Sequence, residues 1–422
     1  MDRTGERRAL GLLLAVWGAT RLVLVLFVLR VFVFPGADVT SDVSVIYQGW
    51  YEVLRHGTFP LDDVTWQYPP AAALAILAPG LLPFLDYPTA FFVLAFLADL
   101  VVLCLLLCTG LRPGRTLRGA WIWVAGVPLL GPTVYSRYDL MVTAVAVAAL
   151  LAGARHPRLT GVLAGFGAMV KVWPALLLAG ASPRGGTLRG GTPGRRAWGA
   201  AAVTAGLVGA LFAVAMPGAF AFLTFQRDRG TEVESLGALV LHVARHHGWR
   251  GEVLLNYGSI EFLGPHVKAV SAAALVLTAC AFGWLLLWRL CAARFRSHTL
   301  ADAAFTAVLM FTVTSRVISP QYMVWLVGLA AVCLCFRAGR MTLPAVLVLL
   351  ATFVTVLEFP VGFSHVVVSD WYGVTLLFLR NGLLLAATVT AARQLWRSTV
   401  TGTPAAALPA RAAPATETSV PS

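Results

Sequence analysis

The sequence predicts an all-α integral membrane protein, a bundle of about ten to twelve transmembrane helices. Three observations lead there. Hydrophobic residues make up 59% of the chain and charged residues 12%, with a mean hydropathy of +0.79, a balance no soluble domain has. The apolar residues gather into separate runs, most of them long enough to cross a bilayer. The arginines behind the net charge of +13 fall mostly in the short links between runs, which the positive-inside bias explains without nucleic acid as a partner.

The first run, 10–34, follows DRTGERR and lacks a small-residue cleavage site, so it reads as a retained span and not a signal peptide. A polar loop over 35–87 follows, interrupted by an apolar segment at 69–85. Further runs lie at 88–110, 119–134, 138–154, 159–181 and 197–217. A large polar loop over 218–265 precedes runs at 266–291, 299–317, 320–337, 342–360 and 371–396. One membrane domain, 1–397, thus leaves no room for a separate soluble one. The Ala/Pro/Thr-rich tail at 398–422 is expected to be disordered. The six cysteines lie in or beside apolar runs and suit neither disulfides nor a zinc cluster. His242, His246 and His247 have helical metal-ligand spacing but no accompanying acid motif, so no metal or cofactor is expected.

Arginine placement selects a topology. If 69–85 lies along the surface and 159–181 folds back, the chain crosses ten times, leaving 20 arginines inside and 7 outside; if both segments cross, the split is 16 against 11. The ten-crossing arrangement obeys the charge rule better. Gly165, Gly167, Lys171 and Pro174 within 159–181 suit an interrupted helix. Fourteen of the nineteen acids then face outward.

Residues 41–60, SDVSVIYQGWYEVLRHGTFP, carry Val43, Ile46, Tyr47, Trp50, Tyr51 and Leu54 at helical spacing, with Gly57 and Pro60 as a stop. At about 1.5 Å per residue this helix is about 20 Å long, too short and polar to span. Its aromatic stripe fits a helix lying in the membrane interface. Ser41 or Asp42 is a natural N-cap for it. WQYPPAAALAIL then begins a second surface helix at Pro69-Pro70.

These pieces, with SRYD at 136–139, LTGVLAGFGAMVKVWPALLL, RGTEVESL at 229–236 and SRVISPQYMVWL at 315–326, resemble in order and spacing the polyprenyl-phosphate-sugar-dependent glycosyltransferases of the GT-C fold. The resemblance is to glycosyltransferase family 87, which includes phosphatidylinositol-mannoside mannosyltransferases. It implies that Asp42, in the first outer loop, is the catalytic base, with Asp38 its nearest rival. It also implies a lipid-linked sugar donor and a lipid or envelope-glycan acceptor. A polyprenyl phosphate leaves as a stable anion, so one base suffices and the displacement inverts the anomeric centre, unlike the two-carboxylate retaining glycosidases.

Arg137, Lys171 and Arg316 are the candidate cations for the donor phosphate. Each has a plainer alternative: Arg137 pairing with Asp139, Lys171 in a structural ion pair, Arg316 snorkelling to the interface. Tyr68, Asp139, Glu234, Gln321, Tyr322 and His365 are candidate substrate contacts. Gln321 and Tyr322 stand where the mannosyltransferase branch carries histidines, so the likeness does not extend to mannose and phosphatidylinositol mannoside specifically. Mannose is still the first donor to expect from the family. Arg21 and Asp99 are expected to form a buried structural pair, and Arg380 to face the bundle interior. A transporter or flippase for a polyprenyl-linked lipid is the alternative reading. Two lysines against thirty arginines, with abundant alanine and glycine, point to a GC-rich bacterial genome and a plasma-membrane location with the site facing outward.

Overall fold

The computed structural model describes residues 3–153, 155–181 and 193–401. Helix α1 (Arg3–Val28) leads into a surface element, the π turn Asp42–Tyr47 continued by α2 (Gln48–Leu54). A short α3 (Ala72–Leu77) and 3₁₀ turn Ala78–Leu81 follow, then α4 (Tyr87–Gly110) and α5 (Arg118–Gly126), which a 3₁₀ turn Pro128–Val134 prolongs. Next come α6 (Asp139–Ala152), α7 (Pro157–Val170) with the 3₁₀ segment Trp173–Gly180, and α8 (Pro193–Ala215). The large loop holds α9 (Phe222–Asp228), β1 (Thr231–Glu232), α10 (Ala238–His246), β2 (Glu252–Asn256) and β3 (Ser259–Leu263). The chain closes with α11 (Val267–Cys291), α12 (Thr299–Thr314), α13 (Tyr322–Leu334), α14 (Thr342–Val356), α15 (Phe363–Val368) and α16 (Trp371–Trp396).

Six helices among the described residues are long and apolar enough to cross a membrane: 7–28, 87–110, 193–215, 267–291, 342–361 and 371–401. Shorter apolar helices at 139–152, 299–314 and 322–334, with the α5 unit, complete the run of passes between two ends of the bundle. One end carries Asp42, Arg137 and Arg316; the other carries Arg115, Arg155 and Arg296.

The segment 157–181 does fold back. Pro157 and Thr160 at its start and Gly180 and Ala181 at its finish line the same cavity at the Arg155 end. Lys171, with extended backbone, ends α7 at the turning point, and the Pro174 ring packs where a methyl on Gly167 would sit 3.0 Å away. Helix α7 is clamped to α8 by small residues. Methyl groups added to Gly161 and Gly165 would lie 2.1 and 2.4 Å from the carbonyl oxygens of Ala197 and Ala201. Such small-residue seams let backbones approach where lipid offers no hydrophobic drive.

The surface helix departs from expectation in its facing. Val43, Tyr47, Trp50 and Leu54 are buried against protein: Trp50 meets Trp66 and Tyr68, and Tyr47 meets Phe91 and Tyr138. Val45, Ile46 and Val53 form the exposed apolar face instead. The aromatic stripe is therefore a protein seam. Neither Ser41 nor Asp42 makes a side-chain cap.

The large loop contains a small antiparallel sheet, order β1-β3-β2, that the all-α reading lacked. Tyr257 and Gly258, both at positive φ, make the two-residue turn that joins β2 to β3. At the chain's other limit a π turn, Arg397–Thr401, continues past residue 397, because the Thr399 hydroxyl is buried and takes the Trp288 Nε1–H at 2.9 Å. The rest of the expected disordered tail, 402–422, lies outside the described residues.

Candidate active site

Asp42 opens the surface helix, and its carboxylate is paired with the guanidinium of Arg137, not held as a cap. Arg137 belongs to the short link between the 3₁₀ turn and α6, and also donates to the Ser136 carbonyl at 2.9 Å. Its alternative partner, Asp139, is engaged elsewhere. The Asp42 side chain is 31% exposed while that of Arg137 is 10% exposed, so the carboxylate stands at a rim with its cation beneath.

Asp38 has a different setting. Its Oδ1 accepts from the Thr40 backbone N–H at 2.9 Å and hydroxyl at 2.7 Å, and Oδ2 pairs with Arg30 at 2.5 Å. Partial burial raises its pKa, but the Thr40 hydrogen bonds and Arg30 outweigh that and hold the group below its ordinary value. Asp38 is thus occupied by its own loop.

Behind Asp42 and Arg137 lies a second cation. Lys171 Nζ meets Asp139 Oδ1 at 2.6 Å, and the same oxygen accepts the Trp325 indole N–H at 2.7 Å. Four rings surround the ammonium: Tyr138 at 4.9 Å, Tyr68 and Trp325 at 5.2 Å, and Tyr322 at 5.9 Å. Tyr322 stacks on Trp325 at 3.9 Å, and Trp325 on Trp173. Burial pushes the Tyr68 phenol up to about 12, with the charge of Asp139 adding to it. The Tyr138 hydroxyl and Asp139 Oδ2 are buried with no hydrogen-bond partner among the described residues.

Arg316 closes the third side. It donates to the carbonyls of Arg229 at 2.6 Å and Gln226 at 2.9 Å, and Gln226 donates in turn to the Gln67 carbonyl, one residue before Tyr68. Arg316 thus fastens the large loop to this end of the bundle. The fold also brings in two residues that the sequence did not single out. Arg229 exerts its charge on Tyr68, Lys171 and Tyr322. Glu232 accepts from the Ile318 N–H at 2.6 Å and the Ser319 hydroxyl at 3.1 Å. Burial lifts Glu232 to about 7 despite Arg229 and those hydrogen bonds. No sequence pattern marks Arg229 or Glu232; only their place in RGTEVES, a piece already noted, pointed near them.

Two expected contacts are not brought to this cluster. Glu234 faces Arg380 at 3.2 Å, and Arg380 also pairs with Glu358 at 2.7 Å. Burial and the neighbouring Glu358 raise Glu234 well above its ordinary value. His365 is half exposed and pairs with Asp370 at the start of α16. Gln321 precedes Tyr322 at the head of α13. The expected pair Arg21–Asp99 is present, Nε to Oδ2 at 2.8 Å, with Trp123 and Tyr135 donating to the same carboxylate. His242 bonds Ser369 and the Val233 carbonyl, and His246 stacks on Trp371. No group of three or more potential metal ligands occurs among the described residues.

The family model described as glycosyltransferase family 87 matches residues 66–320, more than half of the chain. That span takes in Tyr68, Arg137, Lys171, Arg229 and Arg316, starting after Asp42 and ending before Gln321. No curated protein and no solved structure matches the chain. With its bundle of apolar helices, this chain belongs to glycosyltransferase family 87 and is a membrane glycosyltransferase.

Proposed function

We propose that this glycosyltransferase moves a sugar, mannose first among the candidates, from a polyprenyl-phosphate donor to a hydroxyl of a lipid or envelope glycan, with inversion. Asp42 takes the hydroxyl proton as that oxygen attacks the anomeric carbon from the face opposite the phosphate. The bond from that carbon to the phosphate oxygen breaks, and the polyprenyl phosphate departs as an anion. Arg137, Lys171 and Arg229 are the cations that meet its charge, and the faces of Tyr68, Tyr138 and Tyr322 offer a platform for the sugar ring. A base so placed contributes about 10²- to 10⁴-fold; positioning and charge stabilisation supply the rest. No metal or cofactor is part of this proposal.

The observation that carries it is one juxtaposition: a rim carboxylate held on a buried arginine, beside a buried ammonium ringed by aromatic faces. The unpartnered Tyr138 hydroxyl and Asp139 Oδ2 support it, because buried polar groups are costly without partners. The arginine-rich links at the opposite end support an outward-facing site in a bacterial plasma membrane. The test offers purified protein labelled polyprenyl-phosphate mannose, then the glucose and arabinose analogues, with extracted envelope lipids as acceptors. Transfer from one of them with inverted anomeric configuration is expected. Transfer with retention, or from a nucleotide sugar alone, would reject the proposal.

A further inference from the structure

At the end of the bundle away from Asp42, a cavity of about 560 Å³ is lined by Arg112, Arg115, Arg155 and Arg296, and no acidic residue lines it among the described residues. Three helices begin on its wall: α7 at Pro157, α8 at Pro193 and α12 at Thr299. Neither α7 nor α12 carries a side-chain N-cap, so their first turns present positive dipole ends to the cavity. Arg115 is stacked on Phe336, 3.7 Å from the ring centroid. Its Nη1 is buried without a hydrogen-bond partner among the described residues. Asp302, the acid in the first turn of α12, turns to Cys333 instead. Arginines scattered by the charge rule need not converge on one cavity, and these do.

A second, apolar groove of about 390 Å³ adjoins it, sharing Ala181 and Gly194 with the cavity wall. Leu178, Trp198, Leu285 and Leu286 line this groove, which opens between α8 and α11 on the outside of the bundle. Trp198 and Leu286 are exposed. A basic headgroup-sized cavity continuous with an apolar groove at a helix-bundle end matches one ligand chemistry.

We propose that this end of the protein binds a membrane lipid with a net-negative phosphate headgroup, the phosphate among Arg112, Arg115, Arg155 and Arg296 and one chain in the groove along α8 and α11. The site is separate from the transfer site and does not depend on the donor assigned to it. Its position at both ends of the re-entrant segment 157–181 means that a bound lipid would brace the segment that carries Lys171.

The test uses full-length, delipidated protein and measures retained lipid by native mass spectrometry, with melting temperature in parallel. The probes are dioleoylphosphatidylglycerol, dioleoylphosphatidylcholine and inorganic phosphate alone. Wild type should retain phosphatidylglycerol over phosphatidylcholine, and Arg155→Gln with Arg296→Gln should reduce that retention about tenfold or more. Arg7→Gln with Arg8→Gln, which removes the same charge from the same end outside the cavity, should leave it unchanged. Trp198→Ser should weaken retention by removing a groove wall. All these residues are exposed, so the variants should fold. Equal loss in the Arg7/Arg8 variant would reduce the effect to general surface charge and overturn the proposal. Equal stabilisation by inorganic phosphate would overturn the lipid assignment in favour of a soluble anion, and unchanged retention in Trp198→Ser would overturn the groove.

Discussion

Asp42 and Arg137 form an ion pair that ties the first turn of the surface helix to the link before α6. Arg137 takes Asp42 and not Asp139, two residues along in sequence, which pairs with Lys171. The pairing exists because the aromatic face of the surface helix docks through Tyr47 onto Tyr138, which sets the two charged groups opposite each other. The site's rim is thus a product of packing between two short polar segments.

Lys171 and Asp139 should behave as a buried pair with a second duty. Replacing Lys171 by Met leaves Asp139 buried with only the Trp325 N–H, and should cost about 3–5 kcal/mol of stability, read as a fall in melting temperature. Adding Asp139→Asn should restore much of the stability, because the uncompensated charge is gone. Transfer activity should stay low in the double variant. Recovery of activity together with stability would make Lys171 purely structural.

Arg21 and Asp99 make the contrasting case. This pair lies within the bundle, fully buried, with Trp123 and Tyr135 completing the carboxylate's bonds. Arg21→Met should likewise cost about 3–5 kcal/mol. The protein that does fold should transfer sugar with an unchanged KM, measured on the monodisperse fraction.

Arg229 pairs with the buried Glu261 at 3.3 Å, whose carboxylate has other donors as well. Glu261 keeps the Gly230 N–H at 3.0 Å, Asn256 Nδ2 at 3.1 Å and the Ser259 hydroxyl at 3.1 Å. Arg229→Gln should therefore lose less stability than Arg21→Met, although a buried carboxylate is left without its cation, and kinetics are read on the folded fraction. The lost charge should raise the KM for the lipid-phosphate donor about tenfold or more, in keeping with a hydrogen bond to a charged group. Steady-state kinetics with donor varied would read this directly.

Glu232 provides a pH signature. Its pKa is raised to about 7 in the fold by burial, above the roughly 4.3 of an unfolded glutamate. The native state then holds the proton more tightly than the unfolded state, so stability is greatest at low pH. It falls as pH rises from about 4.3 through 7 and levels off above that. Melting curves from pH 5 to 8 should show this decline, and Glu232→Gln should flatten it.

Much of the scaffold was legible from sequence because lipid imposes strong rules. The apolar runs, the fold-back at Lys171 and Pro174, and the Arg21–Asp99 pair all follow from the cost of polar groups in hydrocarbon. What periodicity could not say was which surface covers a stripe: Tyr47 and Trp50 recur at helical spacing whether they face lipid or protein. The choice between Glu232 and Glu234 was equally hidden. It depends on β1 pairing with β3, Glu232 opposite Glu261, and on where residues 316–319 come to rest. Arg229 escaped notice for the same reason, since its relevance is set by Tyr68, Lys171 and Tyr322 arriving from three other segments.

The most direct test of the account compares sugar transfer by the wild type, Asp42→Asn and Asp38→Asn, all from the lipid-linked donor that the wild type uses. Asparagine keeps the shape of either side chain and cannot accept the proton. Asp42→Asn should lose about 10²- to 10⁴-fold of the rate in its folded, monodisperse fraction, while Asp38→Asn stays within a few-fold of wild type. Near wild-type transfer by folded Asp42→Asn, with or without loss in Asp38→Asn, would contradict the account.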